Sequence, residues 1–213
     1  MIRENIKILR EKVNNACLRA GRNPNEVEII GVTKTVDTER IKIAVDEGIT
    51  HIGENRVQEY LEKYDFIKAN NLKADIIGHL QTNKVKYIAE NINMIQSVDS
   101  LKLAREISKE AKKYNRTVPV LLEINAAGEE SKSGVSFSEI FELAHSVSEL
   151  PFVSVKGLMS IPPVFTDEVT SRGYFEKLYK IYIDIGNKNI DNICMDIMSM
   201  GMAGSVSNRA CRL

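Results

Sequence analysis

Seven short apolar runs punctuate this chain at regular intervals, and they restrict its fold more than any other feature. They are residues 28–32, 50–53, 75–80, 93–98, 118–125, 153–160 and 195–200. Each is nearly continuous in hydrophobicity rather than alternating, as strands buried on both faces of a parallel sheet must be. Between them lie helix patterns at 38–47 (closed by Gly48), 56–63, 83–90, 100–114, 137–150 and 170–187. Asp37, Asp99 and Ser136 stand where N-caps belong. Residues 2–20 carry Ile2, Ile6, Leu9, Val13 and Cys17 at helical spacing, an amphipathic helix stopped by Gly21.

Strict alternation of strand and helix implies right-handed crossovers and an α/β fold. Two architectures satisfy it, a doubly wound sheet and a (β/α)8 TIM-type barrel. A nucleotide-binding doubly wound sheet needs a glycine-rich turn after its first strand. That turn here reads KTVDT, residues 34–38, without glycine. The barrel is therefore expected, as one domain over residues 1–213.

Charge narrows the function. Lys plus Arg and Asp plus Glu are balanced at 29 each, with no long block of one sign. Nucleic acid and anionic membrane surfaces both call for a positive surplus, so neither is expected as a partner. The amino terminus lacks the apolar core of a signal peptide, and no run approaches a membrane span. The three cysteines, Cys17, Cys194 and Cys211, and the three histidines are dispersed. Buried free thiols in the cytoplasm are expected, and no zinc site.

Barrel active sites gather at the carboxyl ends of the strands. Lys34 follows the first run there, and Asn55, His79, Asp99, Asn125, Ser160 and Ser199 follow later ones. A lysine at a barrel mouth is expected to be partly desolvated, which disfavours the ammonium. Its free amine can then add to a carbonyl, chemistry closed to arginine. SMGMAGS (199–205) follows the seventh run, where barrel enzymes commonly bind phosphate. Its glycines can let backbone N–H groups converge on an anion, and its methionines can equally pack in the core. The polar loop 124–134, with Glu129, Glu130 and Lys132, reads as solvated surface or as part of the rim.

Taken together, GVTKT (31–35), GENRVQE (53–59), IGHLQTNK (77–84), QSVDS (96–100), KGLMSIPP (156–163) and SMGM (199–202) run in one order through most of the chain. In these motifs the sequence closely resembles the pyridoxal phosphate homeostasis proteins, PLP-binding barrels of the alanine racemase N-terminal domain type. The resemblance implies pyridoxal 5′-phosphate held as a Schiff base on Lys34, with Asn55 beside it. It places the phosphate at Ser199, Met200 and Gly201, and His79 joins the set from the rim. It also implies a role in vitamin B6 homeostasis without turnover, in a cytoplasmic monomer with PLP-dependent apoenzymes as possible recipients.

After SMGM such proteins continue through an acidic residue, a short helix and an eighth strand with an Arg-Gly-Thr-like turn. Here AGSVSNRACRL follows. On this reading the last strand is missing, the seam between first and seventh strands is incomplete, and the phosphate has fewer donors. Neither Arg209 nor Arg212 can be assigned the role of the arginine that faces the pyridine nitrogen. Three rivals stay open. An amino-acid racemase of the same barrel type needs a base on each face, one of them from a second domain. A Schiff-base aldolase would use a bare Lys34, and a ligand-free interaction barrel would form no adduct there.

Overall fold

The computed structural model describes residues 1–125, 133–162 and 167–201. Its centre is one sheet of seven parallel strands in chain order. These are β1 (Gly31–Val32), β2 (His51–Glu54), β3 (Lys73–Ile76), β4 (Met94–Val98), β5 (Val118–Glu123), β6 (Val153–Ser160) and β7 (Ile193–Met200). Sequential parallel order is the winding of a (β/α) barrel, not of a doubly wound sheet, whose order reverses at a switch point. Among the described residues β1 pairs only with β2 and β7 only with β6. Residues 202–213, on which the expected missing strand and seam turn, lie outside the described residues.

The helices are α1 (Ile2–Arg19), α2 (Thr38–Asp46), α3 (Val57–Glu62), α4 (Tyr64–Ala69), α5 (Leu101–Lys112), α6 (Ile140–Ser148) and α7 (Glu168–Asn187). Asp37 caps α2 as expected, its Oδ1 accepting from Arg40 N–H at 2.8 Å. The cap of α5 is Ser100, whose Oγ accepts from Leu103 N–H at 3.4 Å, rather than Asp99. Asp99 instead turns toward His79. Ser136 stands one turn before α6, donating to Glu139 Oε2 at 2.5 Å.

The segment expected as a helix over 83–90 is a 3-10 turn, Thr82–Tyr87. It holds only Val85 in the core, and Arg116 draws off the carbonyls of Ala89, Glu90 and Ile92 that a longer helix would use. The third strand starts two residues earlier than its apolar run and ends at Ile76. Gly78 then passes so close to Asn55 that a Cβ there would lie 2.7 Å from the Asn55 carbonyl oxygen.

Two apolar layers result. The larger packs the helices onto the outside of the sheet, with Ile41, Ile76, Ile95, Leu122 and Leu158 in it. The smaller, Met94, Leu121 and Met159 with Ile197 against them, lies on the sheet's other face. Since side chains alternate along a strand, Gln96, Glu123 and Ser199 share that inner face.

Candidate functional site

Lys34 occupies a tight turn directly after β1. The Val36 N–H donates to the Thr33 carbonyl at 3.0 Å, and Thr35 takes φ 59. A positive φ at the third residue is the signature of a type II turn. Lys34 is exposed, not partly desolvated as expected. The physical reason is that β1 is a two-residue edge strand, on which even Val32 is 52% exposed. No hydrogen bond or ion pair engages the Lys34 amine among the described residues, so it is available to a carbonyl.

Several groups that hold that turn are buried. Thr33 Oγ1 donates to Glu54 Oε1 at 2.5 Å, and Lys63 Nζ donates to the same oxygen at 2.8 Å and to the Thr33 carbonyl at 2.7 Å. The Thr35 N–H donates to Glu59 Oε2 at 2.6 Å. Glu54 is fully buried and Lys63 is 8% exposed.

Asn55 and His79 come together in one groove of about 460 Å³, shared with Arg56, Leu61, Lys84 and Tyr87. Lys34 and Ser199 are not part of its lining. Asn55 is half-buried, whereas His79 is exposed, its Nδ1 3.3 Å from Asp99 Oδ2 and 3.4 Å from Ser133 Oγ.

At the end of β7, Ser199 and Gly201 are already engaged. Ser199 Oγ donates to Gln96 Oε1 at 2.7 Å, and the Gly201 N–H donates to the Ser160 carbonyl at 3.1 Å. The direction at Ser199 is fixed from below. Asp75, fully buried, accepts from Gln96 Nε2 at 2.5 Å and from Asn93 Nδ2 at 2.6 Å, so the Gln96 amide must turn its oxygen to Ser199. In a parallel ladder the residue between two engaged neighbours faces away, so the Met200 N–H points away from β6. Of the expected phosphate donors, Met200 is the one left open. Met202 and Gly204 lie outside the described residues, as do Glu129, Glu130, Lys132, Arg209 and Arg212.

The same polar line continues to the sheet's amino-terminal end. His51 Nε2 stands 2.9 Å from Asp75 Oδ2 and Nδ1 stands 3.1 Å from Glu28 Oε1, ion-pair distances at which neither nitrogen meets hydrogen-bond geometry. Burial pulls the His51 pKa down, but the two carboxylates outweigh it and the net direction is up. Ser160, expected at the rim, is fully buried and bonds the Ile124 carbonyl at 2.8 Å and Tyr174 Oη at 2.6 Å. Of the cysteines, Cys17 is buried as expected and Cys194 is exposed. Among the described residues no cluster suits a metal ion, and no helix is long and apolar enough to cross a membrane.

Glu123, 6% exposed at the end of β5, was not anticipated. Burial, and then the charge of Asp99, push its pKa up to about 7. Its Oε2 has no hydrogen-bond partner among the described residues. Between the usual carboxylate range and pH 7 the folded chain therefore keeps a proton that the unfolded chain releases, and stability falls as pH rises through that window. Glu123→Gln is expected to be more stable than the native chain at pH 8, by up to about 3 kcal/mol, and equal to it at pH 4. Thermal midpoints at both pH values test this; an equal shift at both contradicts it.

Comparison with known proteins places this geometry. The sequence profile of the alanine racemase N-terminal domain matches residues 2–207. A pyridoxal phosphate homeostasis protein of Aquifex aeolicus is 41% identical over 94% of this chain and 87% of its own length. Among solved structures, an unknown protein from Bifidobacterium adolescentis superposes with TM-score 0.91 at 32% identity, covering 99% of this chain and 89% of that one. PipY of Synechococcus elongatus, solved with PLP bound, gives TM-score 0.80 at 25% identity, covering 96% of this chain and 91% of that one.

Proposed function

Because the chain belongs to the alanine racemase N-terminal domain family, within its group of pyridoxal phosphate homeostasis proteins, we propose that it binds pyridoxal 5′-phosphate and serves in intracellular homeostasis of that cofactor. One observation carries the attachment point: Lys34 is an unengaged primary amine presented on a tight turn at the carboxyl end of β1. When bound, the cofactor supplies an aldehyde, which condenses with a deprotonated amine with loss of one water, and a phosphate dianion.

The residues present fit the aldehyde end. Lys34 reaches it from an exposed position and meets no competing partner among the described residues. The anion end is leaner. Ser199 holds its hydroxyl proton toward Gln96 and Gly201 gives its N–H to Ser160, which leaves the Met200 N–H for the phosphate. Asn55 and His79 supply polar groups in the adjoining groove, where a ring substituent or an incoming amine can be held.

This arrangement suits a carrier better than an enzyme. Proton removal at a substrate α-carbon needs a base held at the reacting carbon. Glu123, whose pKa is pushed up to about 7, is a buried carboxyl at the end of β5, and among the described residues no acid or base bonds the exposed Lys34 amine. An open lysine favours reversible uptake and release. We place the protein in the cytoplasm, as a monomer that hands cofactor to PLP-dependent apoenzymes, a setting in which the exposed Cys194 thiol stays reduced.

Titration with PLP is expected to give a near-visible absorbance band saturating at one cofactor per chain, and an added apoenzyme is expected to withdraw it. Alanine and serine should be turned over no faster than by free PLP. A colourless protein at saturating PLP contradicts the binding, and racemisation well above background contradicts the carrier role.

A further inference from the structure

The turn that presents Lys34 is held on both sides of that residue and at no atom of its side chain. We propose that Lys63, Glu54 and Glu59 are positioning residues that clamp the two neighbours of Lys34 and so fix where its amine emerges. This inference rests on the reading of Lys34 as the attachment point. It adds three residues that neither a barrel-mouth position nor a lysine on a strand end identifies.

The clamp has two arms. On the Thr33 side, Lys63 Nζ donates to the carbonyl at 2.7 Å and to Glu54 Oε1 at 2.8 Å, while Thr33 Oγ1 donates to that same oxygen at 2.5 Å. On the Thr35 side, the backbone N–H donates to Glu59 Oε2 at 2.6 Å, and that oxygen stands 3.8 Å from Lys63 Nζ. Glu59 lies in the first turn of α3 and Lys63 is its C-cap, one helical turn apart, so this short helix serves both arms. The lysine of the clamp is thereby distinguished from Lys34: its nitrogen is a committed donor in a buried site, whereas the Lys34 nitrogen has no partner among the described residues.

Stability alone does not account for this set. A buried ion pair is on average no more stabilising than apolar side chains of similar volume. Val57, Tyr60 and Ile67, from the two helices that flank Lys63, belong to the apolar core. Glu54 also keeps Oε2 buried without a hydrogen-bond partner among the described residues. Thr35, a β-branched residue, sits at positive φ, a conformation it adopts only when the surroundings impose it. From the sheet, the turn is held by the two-residue strand β1 and by the Thr33 N–H donating to the Gly53 carbonyl at 3.0 Å, so the bonds that reach past Lys34 to Thr35 come from the helix side.

The test uses the full chain with two probes, PLP and pyridoxal, the second lacking phosphate. In one variant Glu54→Leu and Lys63→Met replace the buried pair together; in two others Glu59 becomes Leu or Gln. The double variant is expected to melt within a few degrees of the native chain. It should bind PLP at least tenfold more weakly and form the pyridoxal adduct at least tenfold more slowly. Glu59→Leu should show the same losses, while Glu59→Gln, which can still accept from Thr35 N–H, should stay within about threefold of native. If the double variant does not fold, the Glu59 pair carries the test, since Glu59 is less buried than Glu54 or Lys63. Variants that take up both probes like the native chain overturn the clamp and leave the Lys34 reading intact. A native chain that forms no adduct with either probe overturns both.

Discussion

Gly157→Ala is expected to prevent folding. Gly157 lies in β6 at φ 148, a conformation that side chains rarely adopt. A Cβ there would lie 1.8 Å from the Ile197 carbonyl oxygen and 2.7 Å from its carbon, in the backbone of the neighbouring strand. No rotamer relieves a clash with backbone, so β7 would have to separate from β6. The register between these strands shifts at this point, from Val155 opposite Ile193 to Gly157 opposite Ile197. The close approach is therefore part of how β7 is placed. A loss above about 4 kcal/mol is expected, enough to unfold a typical domain or leave it insoluble. Soluble yield and the thermal midpoint measure it, and a soluble variant melting like the native chain contradicts the account of the β6–β7 contact.

Lys34→Ala is expected to abolish covalent uptake of PLP while leaving the fold unchanged. The Lys34 side chain is exposed and makes no hydrogen bond among the described residues, so its removal should cost less than about 0.5 kcal/mol. Thr33 and Thr35 keep their bonds to Lys63, Glu54 and Glu59 in the variant. The absorbance band is thus lost without a loss of structure. A variant that retains the band shows that another amine carries the cofactor.

The strands were legible in the sequence because burial on both faces makes each a continuous apolar run. Residues 93–98, 118–125 and 153–160 each contain the observed strand. Other runs were less faithful. Residues 28–32 look like one strand, yet only Gly31–Val32 pair, because among the described residues β1 has a neighbour on one side alone. At 75–80, apolar character outlasts the strand, since Ile77 and Leu80 pack where the chain has already turned past Asn55.

The site was legible in part for a related reason. Lys34 and Asn55 stand out because they end strands, and their motifs resemble those of a known family. Lys63 lies outside those motifs. Glu54 and Gln96 fall within GENRVQE and QSVDS, but nothing there marks them as buried, because the partner that justifies each comes from elsewhere in the chain. Lys63 did leave a trace: it falls three residues after Tyr60 and four before Ile67, a charged residue on the buried face of its helical segment. Such an interruption of an apolar stripe is a signal for a buried ion pair. Ser199 shows the converse, since nothing in SMGM indicates that its hydroxyl is directed inward by Gln96 and Asp75.

The central claim is that Lys34, and not one of the other lysines, receives the cofactor. Borohydride reduction of the PLP-saturated native chain followed by peptide mapping tests it most directly. The account predicts one phosphopyridoxyl group per chain, on the peptide containing Lys34. Recovery of the group on Lys63 or any other lysine, or no labelled peptide at all, would contradict it.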